Sequence, residues 1–523
     1  MLTAIRSTIG SCFPQRLSAR QSFILVFLIS LFIIAFVKRG QWREPPYWDA
    51  AFSVFPAAIT LTQTGFDYPA LLSAPTYLDG GPNVHASSSI ALLTAIALQI
   101  AGDPSGAYLI LHWIHYSIAA LTIALLYLWA VPVLGKPLGI MVAGGMLLSP
   151  LYLTQAGHMY LELPMACAAL LALLACDARR MVHASCWALL AVSIKEPGLI
   201  VAGTLVVLIA LDHTPIRTRL KRIAIVVVPS IMLAAGQLML HHSSAAEKVS
   251  FSRFLEGVWL YLSSAPDVLF IFVAAVLAVS HHSIQMLGSR EQRTGSTAEY
   301  RLQATVVIAA MFAAFYLTLA ALGWIFILLR YFLIVLPFMI LLCADLSKRI
   351  VGERSTVLGL MLFCLISIVN HNGRFYHYVS GNNGAMAERS NEYVDLLKVH
   401  QDSMAAAEKL PTDVPIFHGL PEHYFSQYPL MGYVQFPLKN AHCIMFESRY
   451  SNADLSTFPD HFYLLYSYRS LGGDKLNWLK TQALANPEYS IATSVFRHGH
   501  YQAQLIEIRR KDMPSEHPPT GVP

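Results

Sequence analysis

Apolar residues recur in blocks of about 16 to 24 along the chain from Ser22 to Asn370, divided by short polar segments. Wound as helices, such blocks reach across a hydrocarbon layer of roughly 30 Å. Eleven crossings are predicted, at 22–37, 107–130, 138–156, 163–177, 184–195, 198–212, 223–241, 266–282, 304–322, 325–345 and 355–370. The run from Ser88 to Ala101 is shorter, about 21 Å as a helix, and is read as a juxtamembrane or re-entrant helix. The alternative is a short but true span. Ala50 to Thr64 has a similar character, with Phe52, Phe55 and Ile59 on one face and Gly65 ending it.

Beyond Asn370 the long apolar runs stop. Strand-like stretches at Val414 to His418, His461 to Tyr468 and Tyr501 to Ile508 alternate with a helical stretch at Asn391 to Leu410. The chain therefore divides into an N-terminal segment (1–21), a membrane domain (22–370), a small mixed α/β domain (371–511) and a disordered tail (512–523).

Composition agrees with a polytopic membrane protein: of 523 residues, 55% are hydrophobic and 13% charged, against about 25% charged in a soluble domain. Charge then orients the bundle. With eleven crossings and an inner N-terminus, Lys136, Arg179, Arg180, Arg217, Arg219, Lys221, Arg222, Arg290, Arg293, Arg301, Lys348, Arg349 and Arg354 all fall in cytoplasmic loops, as the positive-inside bias requires. Counting 88–101 as a span would reverse every one of them. The net charge of +5 is thus a topology signal, and no nucleic-acid partner is implied. The first helix is not read as a cleaved signal, because Arg6, Arg16 and Arg20 precede it and no A-x-A site comes before Trp42. Parity places the C-terminal domain outside. Its sole cysteine, Cys443, can form no internal disulfide, and Cys12, Cys167, Cys176, Cys186, Cys343 and Cys364 show no metal spacing and are read as core-filling thiols. A bacterial inner membrane fits this layout; an endoplasmic reticulum fits less well, since no retention signal ends the chain.

Several charges then gather on the outer face. Asp49 follows the first helix in Glu44-Pro45-Pro46-Tyr47-Trp48-Asp49, and Asp79 lies in Tyr77-Leu78-Asp79-Gly80-Gly81-Pro82. Glu162 precedes Pro164 in the second outer loop. Lys195 and Glu196 stand where Pro197 and Gly198 break one apolar run into two. Arg330 and Tyr331 lie near the start of an otherwise apolar helix. Any one charge at a helix end could be snorkelling to water; acids and bases alternating on one side point to chemistry. Among 20 histidines, His112 and His115 and the pairs His241-His242 and His281-His282 read as interfacial. His158 stands apart, one turn before Glu162 if that loop is helical. A divalent metal ion held by His158, Glu162 and Asp49 is the weaker alternative for this site.

In these residues the stretch 20–370 resembles the GT-C superfamily of polytopic glycosyltransferases, in particular the branch with protein O-mannosyltransferases and the lipid A aminoarabinose transferase. Asp49 matches the acid after the first helix, and Asp79 with Pro82 the acid before the juxtamembrane helix. Glu162 with Pro164 matches the acid of the second outer loop, Lys195 with Pro197 and Gly198 the basic break, and Arg330-Tyr331 with Pro337 the late cation. Departures are Ala50 where a second acid is usual, Glu162 where Asp is usual, and Gly80-Gly81 in place of a lysine. The resemblance implies a GT-C-like fold of about eleven transmembrane helices with a small extracytoplasmic α/β domain. It implies a polyprenyl-phosphate-linked sugar donor in the bilayer and an acceptor lipid, glycan or protein, joined with inversion. Negative charge building on the departing phosphate calls for a cation, Arg330 first and Lys195 second. The acceptor's proton calls for a carboxylate, Asp49; Asp79, Glu162 and Glu196 would orient substrates. The competing class is a transporter or flippase of lipid-linked saccharides, whose charges should sit near the midplane.

Overall fold

The computed structural model describes residues 18–47, 50–73, 89–212, 214–240, 252, 255, 259, 265–288, 296–321, 329–374, 390–450, 452–467, 470 and 472–512. All eleven apolar runs are helical over most of their described length. Helix α1 (Ala19–Val37) starts three residues before its apolar run, because Ser18 and Gln21 form a reciprocal capping box. A π-helical turn (Ala50–Val54) leads into α2 (Phe55–Gln63), followed by α3 (Ser89–Ala101) and α4 (Pro104–Leu134). The predicted span 138–156 is two helices, α5 (Lys136–Leu148) and α6 (Pro150–Gly157), bent by 59° where Pro150 removes an amide donor. Then come α7 (Glu162–Asp177), α8 (Met181–Ile194), α9 (Leu199–Leu211), α10 (Ile216–Leu240), α11 (Pro266–Gly288) and α12 (Thr297–Ala321). Most of the described part of the last two runs falls in α13 (Leu336–Val369), two helical halves joined across a kink at Gly352, whose φ of 81° a glycine tolerates without strain.

Two expectations shift here. Arg330 is not inside a long helix: Leu329–Ile334 is a 3-10 turn, and α13 starts only at Leu336, with Pro337 in its first turn. Among the described residues, four helices (α1, α4, α12 and α13) are each long and apolar enough to cross a bilayer, and the bent α5–α6 pair makes a fifth. The runs in α7, α8 and α9 are shorter, and α10, though 25 residues long, opens on Arg217, Arg219, Lys221 and Arg222. They lie against these, as α8 and α9 do on either side of the turn Glu196–Gly198. Large apolar side chains face outward on α1 (Leu28, Phe32, Phe36), α11 (Phe270, Leu277) and α13 (Leu358, Leu362, Leu365), a surface that suits lipid rather than water. Helix α3 packs on α2 and α4, with the Ser193 hydroxyl of α8 3.3 Å from that of Ser89.

The bundle has two chemically distinct ends. At one, Arg301 pairs with Asp177 at 2.7 Å, Arg222 with Asp212 at 2.9 Å, and Arg349 with Asp345 at 2.7 Å. Lys348 donates to the Leu134 carbonyl there, at 3.1 Å. At the other lies Glu162, about 22 Å away along α7.

The C-terminal domain docks on the Glu162 end. It comprises α14 (Tyr393–Ala407), β1 (Ile416–His418), α15 (Glu422–Gln427), β2 (Ala441–Cys443), β3 (His461–Ser467), α16 (Gly473–Ala485), β4 (Tyr489–His498) and β5 (Tyr501–Arg510). The sheet order is β2-β1-β3-β5-β4, with β1 parallel to β2 and β3 and the remaining pairs antiparallel. The three strands and one helix read from the sequence are all present. The tripeptide β2 is too short to carry a period, and β4 and α16 lack a strong apolar stripe. Successive side chains of a strand face opposite ways. Tyr463, Leu465, Ala503 and Leu505 join the core shared with the helical bundle, whereas Phe462, Leu464, Ile506 and Ile508 build a separate core under α16. The Tyr433 hydroxyl donates to the Pro46 carbonyl at 2.9 Å, the Tyr393 hydroxyl to Gln41 at 2.9 Å, and the Tyr108 hydroxyl to the Leu430 carbonyl at 2.5 Å. The tail expected after Lys511 lies outside the described residues from 513 onward.

Two outcomes follow. A methyl group on Gly198 would stand 2.2 Å from the Ala191 backbone, which cannot yield as a side chain can. Gly198→Ala should therefore cost about 1–3 kcal/mol, read as a lower melting temperature in detergent. Gly144→Ala, with open space around the added atom, should melt as wild type. In the C-terminal domain, His400 is fully buried 3.6 Å from Glu422, and burial pulls its imidazole down to about 3. The unfolded chain, with a histidine pKa near 6.5, binds more protons between about pH 6.5 and 3, so stability falls as pH drops through that window. Burial pushes the Glu422 carboxyl up, which acts in the opposite direction. The drop in melting temperature from pH 7.5 to 5 should therefore be larger in wild type than in His400→Phe.

Candidate active site

Glu162 is the first residue of α7, where free helical amides favour a carboxylate, and Pro164 sits at a position whose missing amide costs no helical bond. Lys195 caps α8 in extended conformation (φ −162°, ψ 152°), which swings its side chain off the helix end. Arg330 comes from the 3-10 turn before α13. These three segments are 33 and 168 residues apart in sequence, yet their charges meet on one oxygen. Lys195 Nζ donates to Glu162 Oε1 at 2.8 Å and Arg330 Nε to the same atom at 3.3 Å. All three are buried, with 6%, 1% and 1% of Lys195, Glu162 and Arg330 exposed.

Aromatic rings enclose the cations. Tyr331 lies 4.7 Å from Lys195 Nζ and 5.4 Å from the Arg330 guanidinium, and Tyr160 lies 5.0 Å from that guanidinium. Tyr316 stacks on Tyr331 at 5.9 Å. Ring faces of this kind hold cations at modest cost in a dry site, and flat ring faces also suit the apolar side of a sugar.

The structure thus brings Glu162, Lys195, Arg330 and Tyr331 together. Glu196, next in the chain, is half-buried in the 3-10 turn. Asp49 and Asp79 lie outside the described residues. His158 is not one helical turn before Glu162: it ends α6 in extended conformation, and α7 starts only at Glu162. Its ring instead stacks on Tyr160 at 4.5 Å and meets Tyr393 of the C-terminal domain at 3.9 Å. Tyr393, His158, Tyr160 and Arg330 therefore form a continuous ladder from the domain to the buried charges. Among the described residues, the three side chains whose donor atoms could converge on a metal are His418, His423 and Cys443, all in the C-terminal domain. In the sequence Cys443 reads only as a thiol with no disulfide partner, and nothing there joined it to these histidines.

Two further charges stand beside the ladder. Lys38, fully buried just past α1, donates to Asn391 at 2.9 Å and lies 5.4 Å from the Tyr393 ring. Burial pulls its ammonium down to about 7, opposed by the Glu44 carboxylate. Glu44 is pushed up to about 7 by its own burial, opposed by Lys38. With Tyr47, His112, His158 and Tyr393, Glu44 lines a small cavity, and His112 Nε2 lies 3.1 Å from the Glu44 carbonyl. Glu44 opens the segment that carries Asp49, and both charges directly follow an apolar helix; that position was the available signal.

The fold and site define a multi-pass membrane protein with an α/β domain seated over a buried charged centre. No family profile matches the chain, and no curated protein matches it in sequence. Among solved structures it is similar to ArnT from Cupriavidus metallidurans bound to undecaprenyl phosphate, at 13% identity over 94% of this chain and 98% of that one, TM-score 0.46. It is also similar to the oligosaccharyltransferase AglB from Archaeoglobus fulgidus in complex with an inhibitory peptide and a dolichol-phosphate, at 12% identity over 90% and 73%, TM-score 0.48.

Removing the shared carboxylate should be costly. Glu162→Gln leaves two buried cations facing a neutral amide and should lose about 3–5 kcal/mol of stability. Adding Lys195→Met should recover part of that loss, and a double-mutant cycle read by thermal melting measures the coupling.

Proposed function

We propose that the protein is a membrane glycosyltransferase that moves a sugar from a polyprenyl-phosphate-linked donor to an acceptor lipid, glycan or protein. The reaction takes place at the extracytoplasmic face, with the chain multi-pass in a bacterial inner membrane, its N-terminus cytoplasmic and its C-terminal domain outside. The observation that carries this reading is the convergence of Lys195 and Arg330 on buried Glu162 at the end of the bundle under the C-terminal domain. A lipid whose tail lies in the bilayer presents its phosphate at that depth.

In the transfer, the acceptor oxygen or nitrogen attacks the anomeric carbon as the bond from that carbon to the phosphate oxygen breaks. The bonding electron pair leaves with the lipid phosphate, and the acceptor's proton passes to Asp49. Lys195 and Arg330 meet the charge that grows on the phosphate; the planar guanidinium suits two phosphate oxygens at once. Glu162 fixes both cations before the donor arrives, so little reorganisation is needed during reaction. Tyr331 and Tyr160 give the sugar a flat wall, and Asp79 and Glu196 orient the acceptor. A single displacement inverts the anomeric centre. A transporter would carry its charges near the midplane, and these sit at helix ends.

Arg330→Ala should weaken binding of undecaprenyl phosphate to the purified protein at least tenfold. Asp49→Asn should leave that binding intact and lower glycan transfer about 10²–10⁴-fold, followed by mass spectrometry of glycans from a deletion strain carrying each variant. Undiminished transfer in Asp49→Asn would remove it as the base.

A further inference from the structure

We propose that His418, His423 and Cys443 form a binding site for a zinc-class divalent cation in the C-terminal domain, separate from the charged centre. Their donor atoms, one from each residue, all lie within 4.8 Å of one another. A tetrahedral zinc ion with bonds of about 2.0–2.3 Å sets its ligands roughly 3.3–3.8 Å apart. His423 is half-exposed, so its ring is the member of the set with room to adjust toward that spacing.

Three features of the fold support this. First, β1 and β2 are parallel neighbours, and His418 and Cys443 are register partners at their carboxyl ends. Crevices beyond the carboxyl ends of parallel strands are where α/β sheets bind ligands. Second, His418 Nδ1 lies 3.1 Å from the Gly419 carbonyl, which fixes the proton on that nitrogen and leaves Nε2 as the acceptor, the arrangement typical of metal-bound histidines. The Ser426 hydroxyl donates to the His423 carbonyl at 2.9 Å and stands 3.5 Å from Nε2, so it does not occupy that lone pair strongly. Third, His418 and Cys443 are 0% and 3% exposed. Two imidazoles and a thiol in a dry crevice are a donor set that favours zinc over magnesium or calcium.

The sequence signal was the spacing His418-x4-His423, within the range of histidine pairs that bind zinc, followed by Cys443 twenty residues on. The ion would join β1, β2 and the start of α15. It would lie on the sheet face that His418 shares with Ile416 and that turns toward the bundle. Binding releases the thiol proton of Cys443 to solvent, and a water completes the fourth position.

The test uses the full chain purified in detergent, stripped with EDTA, loaded with zinc chloride and desalted. Wild type should retain one zinc per chain by mass spectrometry of the metal, and His423→Ala and Cys443→Ser should each retain less than a tenth of that. Cobalt chloride should give wild type a thiolate-to-cobalt charge-transfer band that Cys443→Ser lacks. His423→Ala removes only a half-exposed ring, so its melting curve without metal should match wild type, and zinc should raise the melting temperature of wild type alone. Absence of the cobalt–thiolate band in wild type overturns the site, as does zinc retention unchanged in His423→Ala.

Discussion

One carboxylate oxygen organises the membrane half of this protein. Glu162 Oε1 receives both Lys195 and Arg330, and by doing so it ties α7, the break between α8 and α9, and the turn before α13 into one end of the bundle. Burying such a group is expensive, and an apolar substitute of the same volume would often be as stable or more so. The charges are therefore better explained by what they can do than by what they hold together. Lys195 and Arg330 are held by Glu162 in a dry setting, where electrostatic interactions are stronger than in water.

The second constraint is mechanical. Tyr393, His158, Tyr160 and Arg330 touch in sequence, so the C-terminal domain reaches the charged centre through packed rings rather than across solvent. Lys38 and Asn391 brace the same junction from α1. A displacement of α14 would be felt at Arg330 through three contacts.

Much of the fold could be read along the chain, for a physical reason. Apolar blocks long enough to cross hydrocarbon have few alternatives to helix, and Pro197 with Gly198 marks the break that places Lys195. Glu162, Lys195 and Arg330 were legible because a charge beside a long apolar run is rarely idle. The condition that would set His158 one turn before Glu162 is not met, because the chain at His158 is extended and helix ends depend on tertiary contacts that periodicity does not contain. Lys38 and Glu44 escaped notice because their burial is created by the C-terminal domain, more than 300 residues away. The grouping of His418 with Cys443 depends on strand register, and a three-residue strand carries too little pattern to reveal it.

The two-faced sheet sets unequal rules for change. Tyr463, Leu465 and Leu505 belong to a core that runs on into the membrane helices, so their replacement must be matched by neighbours contributed from the far N-terminal half of the chain. Phe462, Leu464 and Ile508 answer only to α16 and the strands beside them. Alternate rungs of the same strand thus evolve under different partners, and the outward face is where this molecule has room to diversify.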